Sequence, residues 1–486
     1  MMAVSLYTSR VVLNALGVED FGIYNVVGGV VSMFSILSSS LSASISRFIT
    51  YELGTGNKDS LRKIFSSAIT IQLCFAIIII LLAEAIGIWF LNSRMNIPTD
   101  RLEAANWVFH FSVLTFAINL ISVPYNACII AHEHMSAFAY ISILEVVGKL
   151  AIAFLITDSS IDRLIFYAIL MFVVAGLVRL TYSIYCKKHF SECKYYFCWD
   201  KNLLKRLFSF AGWQFLGTGS YILMTQGVNI LMNTFFGPIV NAARGVAVQV
   251  DGVIQQFVNS FTTAINPQIT KSYASGDKTY MFQLIFLGAK YSFFLVLFFA
   301  IPIILETNTI LFLWLKNVPP HAVSFIKLII VIELLYVLSN TMMTAMLATG
   351  EIKKYQIIVG GTGMLVFPIS WIAFKFNFQP ETAFIIQFII FIIQLVYRLL
   401  LLHSMIGLSI ISFIKTVILR CIIVLACAFI IPAIFHYLIF CNEVFKLGII
   451  CIISILSTII SIYFLGLSQI EKKYITSKIK TLIKSR

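Results

Sequence analysis

Residues 25–48 read NVVGGVVSMFSILSSSLSASISRF, a stretch apolar enough for lipid that still repeats small and polar residues along one side. In a helix, Asn25, Gly28, Ser32, Ser35, Ser39, Ser42 and Ser46 succeed one another by alternating steps of three and four and fall in one stripe. Such a stripe has two uses inside a membrane. It lets a second helix pack closely, or it lines a water-filled space.

The rest of the chain is of the same kind. Its 486 residues are 60% hydrophobic and 12% charged, and the mean hydropathy is +0.95, which excludes a soluble globular domain and predicts an all-α polytopic membrane protein. Apolar runs of the ~20 residues that cross about 30 Å of hydrocarbon occupy 23–46, 64–90, 105–131, 137–157, 163–186 and 208–236, then 240–266, 283–305, 321–347, 356–376 and 380–403, and finally 416–440 and 447–467. The apolar part of residues 1–16 is too short to cross and reads as a truncated first span, for about fourteen spans in all. No basic leader with a small-residue cleavage site is visible, so no signal peptide is expected.

Positively charged loops resist translocation, and they set the orientation. Arg47, Lys58, Arg62, Lys63, Lys187, Lys188, Lys353, Lys354 and the basic tail from Lys472 to Arg486 are among those that fall on one side, whereas the other holds only Arg94, Arg101, Arg163, Arg244, Lys316, Lys375 and Lys446. Both termini are therefore expected in the cytoplasm. The net charge of +14 is this topology signal plus attraction to anionic headgroups and needs no nucleic-acid partner.

Four local matches recur along the chain. FGIYNVVGGV from Phe21 resembles FGPIVNAARGV from Phe236, FITYELGTGNKDS from Phe48 resembles QITKSYASGDKTY from Gln268, AHEHMSAFAYI from Ala131 resembles ATGEIKKYQII from Ala348, and LVRL at Arg179 resembles LVYRL at Arg398. A nearly constant displacement predicts two parallel six-helix repeats with a cleft between them and two extra helices at the C-terminal end. The expected parts are an N-terminal lobe over 1–186, a cytoplasmic linker over 187–207, a C-terminal lobe over 208–403 and the extra helices with the tail over 404–486.

The repeat pairs the striped second span with the eighth. Stepping from Asn241, that span passes Arg244, Asp251, Gln255 and Thr262, while the adjoining row carries Gln249, Gly252, Gln256, Asn259, Thr263 and Asn266. The seventh span adds Gln214, Thr218, Thr225 and Asn229 on one face, with Gln226 and Asn233 beside it. Burying Arg or Asp at mid-membrane costs about 2.5–3.5 kcal/mol even on the lenient insertion scale, and close packing gives no reason to tolerate that. A hydrated cleft does.

Other intramembrane charges are Arg10, Glu84, Glu145 with Lys149, Arg179, Lys290, Lys327, Glu333, Arg398 and Arg420. Glu145 and Lys149 stand one turn apart and are expected to neutralise each other. Arg179 and Arg398 are expected to snorkel to headgroups, and Arg10 is placed deep in the truncated span. Several motifs are set aside. GTGNKDS at Gly54 lacks the spacing of a nucleotide-binding loop, Cys186, Cys193, Cys198 and His189 lack that of a zinc site, and HEH at His132 reads as a solvated turn. The composition calls for no cofactor and no metal.

LYTSRVVLNALGVEDFGIYNVVGGVV, SVPYNACIIAHE, FAGWQFLG, QGVNILMNTFFGPIVNAARG, NPQITKSYASGD and ATGEIKKYQ, spread from Leu6 to about His403, resemble the bacterial polysaccharide flippases that export lipid-linked oligosaccharides such as O-antigen units. That family shares a superfamily with the MATE drug exporters. The resemblance implies a MATE-like two-lobe fold with a cationic central cavity working by alternating access. It also implies a non-enzymatic transporter in the bacterial cytoplasmic (inner) membrane. The implied cargo for lipopolysaccharide or other surface-polysaccharide biosynthesis is an oligosaccharide on undecaprenyl pyrophosphate, with membrane lipids around it and a polysaccharide polymerase or glycosyltransferase as partner. Relatives usually begin further upstream of SLYTSR, which puts the start, and Arg10 with it, in question.

An anionic, hydroxyl-rich headgroup calls for cations and amides in a wet cavity. Arg10, Arg47 and Arg244 are the expected cations, and Gln226, Asn229, Gln249, Gln256 and Asn259, with Asn25 and Asn241, the expected polar lining. Asp251 either holds Arg244 in place or takes up a proton or sodium ion that couples the cycle. A MATE-like multidrug or cation antiporter would favour a compact cavity with acids and aromatics. A membrane polymerase or glycosyltransferase would need a large catalytic loop, which the sequence lacks.

Overall fold

The structure, a computed structural model, describes residues 8, 11–12, 15–17, 20, 23–24, 27–28, 31, 35–94, 98–156, 162–198, 200–315, 318–439, 442–469 and 471–473. Among them there is no strand, and ten helices are long and apolar enough to cross a membrane. We number the long helices α1 (Ser35–Thr55), α2 (Lys58–Gly87), α3 (Thr99–Ala131), α4 (Met135–Leu155), α5 (Arg163–His189), α6 (Lys201–Ile222), α7 (Val228–Ala274), α8 (Lys278–Leu315), α9 (Ala322–Thr349), α10 (Ile352–Lys375), α11 (Thr382–Ile406), α12 (Ile410–Leu438) and α13 (Glu443–Gly466). The helices outside the ten are α1, α6 and α7. These carry the Ser, Gln and Asn stripes. The chain divides into two compact units, Met1–Thr218 and Gly219–Arg486.

In the first unit α3 is central, packing on α1, α2 and α5, and α4 packs on α5. The face of α1 that packs is not the predicted stripe. Leu41, Ser44, Ile45 and Phe48 are buried, and the Ser44 hydroxyl donates to the Leu207 carbonyl at 3.1 Å. Ser39 of the stripe is exposed, and Ser42 and Ser46 are partly so. Close packing falls to the neighbouring row. Arg47, expected as a ligand cation, lies against the rings of Phe48, Tyr51 and Phe210 at 4.6, 4.7 and 5.7 Å.

In the second unit α8 is central. It packs on α7 and α9 and also on α12 and α13. A buried ion pair and a largely buried histidine–carboxylate hydrogen bond fix the last two helices to it. His436 of α12 meets Glu306 at 2.8 Å, where α8 bends after Pro302, and Lys290 meets Glu471 just past α13 at 2.7 Å. A buried charge left alone costs several kcal/mol, so each helix end is committed to its partner.

The paired motifs of the sequence build paired turns. In GTGNKDS, Gly56 takes φ 74° and Asn57 caps α2 by accepting from the Ser60 N–H at 3.0 Å. In ASGDKTY, Gly276 takes φ 80° and Asp277 accepts from the Tyr280 N–H at 3.0 Å. The loop-like look of GTGNKDS is thus a left-handed stop followed by an N-cap. Glu133 and Gly350, equivalent by the third match, are both left-handed, at φ 62° and 79°.

Several expectations are corrected. Arg398 does not snorkel: its side chain is buried at 5% exposure and donates to Gln394 at 3.4 Å, while Arg179 folds over the Tyr125 ring at 4.0 Å. His132 is no solvated turn either. It stacks on Phe190 and pairs with the buried Glu192 at 2.5 Å. Glu145 and Lys149 do pair, at 2.5 Å.

Candidate functional site

Several polar residues of the second unit converge on one cavity of about 210 Å³ walled by α6 and its continuation, α7, α9 and α11. Local backbone departures make its wall. After Ile222 the helix widens into a π turn over Leu223–Gly227, which frees carbonyls from the ordinary ladder. The Arg244 guanidinium shares one of them, the Thr225 carbonyl, with the Val228 N–H, donating to it from Nη2 at 2.6 Å and from Nη1 to the Asn229 amide oxygen at 3.0 Å. Arg244 can reach back because α7 breaks at Gly237, whose φ of 80° and ψ of −177° form a region essentially reserved for glycine.

Beyond the break, Arg244, Val248, Asp251 and Gln255 follow by steps of four, three and four and all line the cavity. Gln255 donates from Nε2 to Asp251 at 2.8 Å and to Glu333 of α9 at 3.4 Å. One amide thus bridges two carboxylates. Arg244 is 9% and Glu333 3% exposed, and the Arg244 Nε and the Glu333 Oε1 are buried with no partner in the protein. Leaving such an atom unbonded costs about 1–3 kcal/mol. Two orphaned atoms of opposite character in one cavity therefore mark a place where a ligand or water completes the bonding.

The expected site residues separate into three groups. Gln226, Arg244 and Asp251 line the cavity, and Asn229 holds Arg244. Gln249, Gln256 and Asn259 lie on the adjoining row of α7, exposed and outside this cavity. Arg10, Asn25 and the side chain of Asn241 lie outside the described residues. Asp251 does not hold Arg244 in place; Asn229 and the Thr225 carbonyl do that. Within this unit the cavity is not simply cationic, because Asp251 and Glu333 face the same space as Arg244. Sequence reasoning named Glu333 as an intramembrane charge without a role; its signal was the cost of an acid in an apolar span, and its partner was hidden because α9 is far from α7 in sequence.

Tyr221, Tyr336, Phe384 and Phe391 complete the walls. Among the described residues, no group of three or more His, Cys, Asp or Glu is placed to hold a metal.

Comparison with solved structures places this architecture. An outward-facing multidrug resistance MATE family transporter of the MOP superfamily superposes with a TM-score of 0.71 at 13% identity, over 83% of this chain and 93% of that one. A MOP superfamily transporter from Pyrococcus furiosus does so with 0.69 at 13%, over the same shares. The chain is a multi-pass, all-α membrane protein with the MATE transporter fold. It belongs to the polysaccharide biosynthesis protein family, which residues 3–273 match. A curated relative, the uncharacterized membrane protein EpsK of Bacillus subtilis, is 18% identical over 278 residues, 56% of this chain and 54% of that protein. The chain spans about half the length of the curated relative it matches.

Proposed function

We propose that the protein moves an oligosaccharide linked to undecaprenyl pyrophosphate across the bacterial cytoplasmic membrane for surface-polysaccharide assembly, by alternating access and with both termini in the cytoplasm. The observation that carries this reading is Arg244: a buried guanidinium with an unbonded N–H, facing a cavity in a member of a polysaccharide biosynthesis family. A guanidinium so placed suits a phosphate oxygen. Arg10 and Arg47 are further cations for the headgroup, and Asn25, Gln226, Asn229, Asn241, Gln249, Gln256 and Asn259 supply partners for sugar hydroxyls. The Asp251, Gln255 and Glu333 cluster takes up the coupling proton or sodium ion. A polymerase or glycosyltransferase acts on the delivered unit.

A strain lacking its own copy and carrying Arg244→Ala tests this. Surface polysaccharide should fall at least tenfold while the amount of protein in the membrane is unchanged. Normal polysaccharide with that variant would overturn the reading. A second reading, extrusion of organic cations, draws on the compact cavity with its two acids and four aromatic rings. Arg244 in the same space opposes it, since a like charge repels the cargo. Wild-type cells excluding ethidium better than the deletion strain, with equal polysaccharide in both, would favour it.

A further inference from the structure

A second cavity, of about 260 Å³, lies in the first unit between the stretch that holds Tyr24 and Gly28, the middle of α3 and the start of α5. Its polar atoms come from Tyr24, Ser112, Thr115 and Asn119, and its apolar wall includes Phe116 and Met171. Among the described residues that line it, none is Asp, Glu, Lys, Arg or His. Three charges near the same segments are spent on each other: Arg101 at the start of α3 bridges Asp20 and Asp162 at 2.5 Å each, and Asp162 also caps α5 through the Leu164 and Ile165 N–H groups.

This lining excludes two kinds of occupant. A charged group would be desolvated here with no opposite charge among the described lining residues to meet it. A hydrocarbon would leave the Thr115 hydroxyl bare, since its Oγ1 is buried and has no partner in the protein, at a cost of about 1–3 kcal/mol. What fits is neutral, with a hydroxylated rim and apolar faces. Tyr24, edge-on to Tyr167 at 4.7 Å, and Phe116 offer surface for C–H groups, and Ser112, Thr115 and Asn119 offer hydrogen bonds. The volume falls just below the ~300 Å³ at which drug-sized sites begin. It has room for one sugar ring.

We propose that this cavity is a subsite for a single neutral glycosyl unit, a hexose or N-acetylhexosamine ring. Assigning that ring to a carried oligosaccharide rests on the transport reading above; the binding itself does not.

The test is saturation-transfer NMR on the full-length protein in lipid nanodiscs with methyl hexosides, methyl N-acetylhexosaminides, a methyl hexuronide and cyclohexanol as probes. At least one neutral glycoside should bind the wild type, with the uronide and cyclohexanol silent. Thr115→Val, which keeps the shape and deletes the hydroxyl, should weaken that binding about tenfold. Gly28→Leu should abolish it, because a Cβ at Gly28 meets nothing within 4 Å and the longer side chain grows into free space. If Gly28→Leu does not fold, Thr115→Val decides alone. No neutral glycoside bound by the wild type, equal binding by Thr115→Val, or equal occupancy by cyclohexanol would each overturn the subsite. Such a failure leaves wild-type export untouched, so it is told apart from failure of the transport reading, which Arg244→Ala decides.

Discussion

The cavities of the two units differ in how they treat charge. Beside the cavity of the first unit Arg101, Asp20 and Asp162 neutralise one another, and the described lining carries no charge. In the second, Arg244, Asp251 and Glu333 line one cavity, yet the guanidinium bonds an amide and a carbonyl while the acids share an amide. The backbone differs in parallel. The second cavity is walled by a π turn and sits beside a helix broken at Gly237, whereas α3 runs past the first cavity without a break. Holding the Arg244 guanidinium apart from the two acids requires fixed hydrogen-bond acceptors, and the π turn and Asn229 supply them. A neutral cavity needs no such device.

Isosteric removal of charge should break this contrast most sharply. On the transport reading proposed above, in which Glu333 takes up the coupling ion, Glu333→Gln should lower the rate of polysaccharide export at least tenfold and flatten its dependence on external pH, because an amide cannot exchange that ion. Thr115→Val in the first unit should leave the shape of that pH profile as it is. The measurement is pulse-labelled surface polysaccharide across a pH series. A Glu333→Gln profile that parallels the wild type would show that the second cavity holds its acids for structure alone.

Gly237→Ala is expected next. A Cβ there meets nothing within 4 Å, so the whole penalty comes from forcing an L side chain to φ 80° and ψ −177°, about 1–3 kcal/mol. The unfolding temperature in detergent should fall, and the Arg244 phenotype should be copied in part as the guanidinium loses its register with Thr225. An unchanged unfolding temperature would mean that α7 straightens at no cost and that the break does not set the cavity.

Much of this was legible before any coordinates. The rows on the second and eighth spans located α1 and α7, and the step from Arg244 to Asp251 and Gln255 placed three residues on one cavity wall, because helical periodicity acts within a single element. The choice between neighbouring rows was less legible. Gln249, Gln256 and Asn259 look as suited to a ligand as Gln255, and what separates them is the rotation of α7 against α9, which is set by packing. Glu333 meets Asp251 through Gln255 across a long stretch of chain, and Tyr24, Thr115 and the start of α5 come together from three segments. No local pattern announces such meetings. Arg398 was misread for the same reason: the Gln394 that it bonds is itself engaged with the Val359 carbonyl of the π turn in α10.

The smallest expected effect concerns the charge cluster beside the first cavity. Asp162 is the residue just ahead of α5, and burial tends to raise its carboxyl; the bond from Arg101 and the Ile165 and Leu164 N–H groups outweigh burial and hold it below the usual aspartate range. A carboxyl that ionises more readily folded than unfolded adds stability that is complete above the unfolded value near pH ~3.9 and is lost as pH falls through the folded one. Asp162→Asn keeps an oxygen for the helix cap and removes the charge opposite Arg101. At neutral pH it should destabilise the protein by about 0.2–1 kcal/mol, the range for a partly exposed pair, and the difference from wild type should shrink as pH is lowered toward 3. Thermal unfolding in detergent at both pH values measures it. A gap that stays constant down to pH 3 would mean that the cluster acts through its shape and not its charge, and the contrast between the self-neutralised cluster beside the first unit's cavity and the separated Arg244 and acids of the second unit's cavity would lose its electrostatic basis.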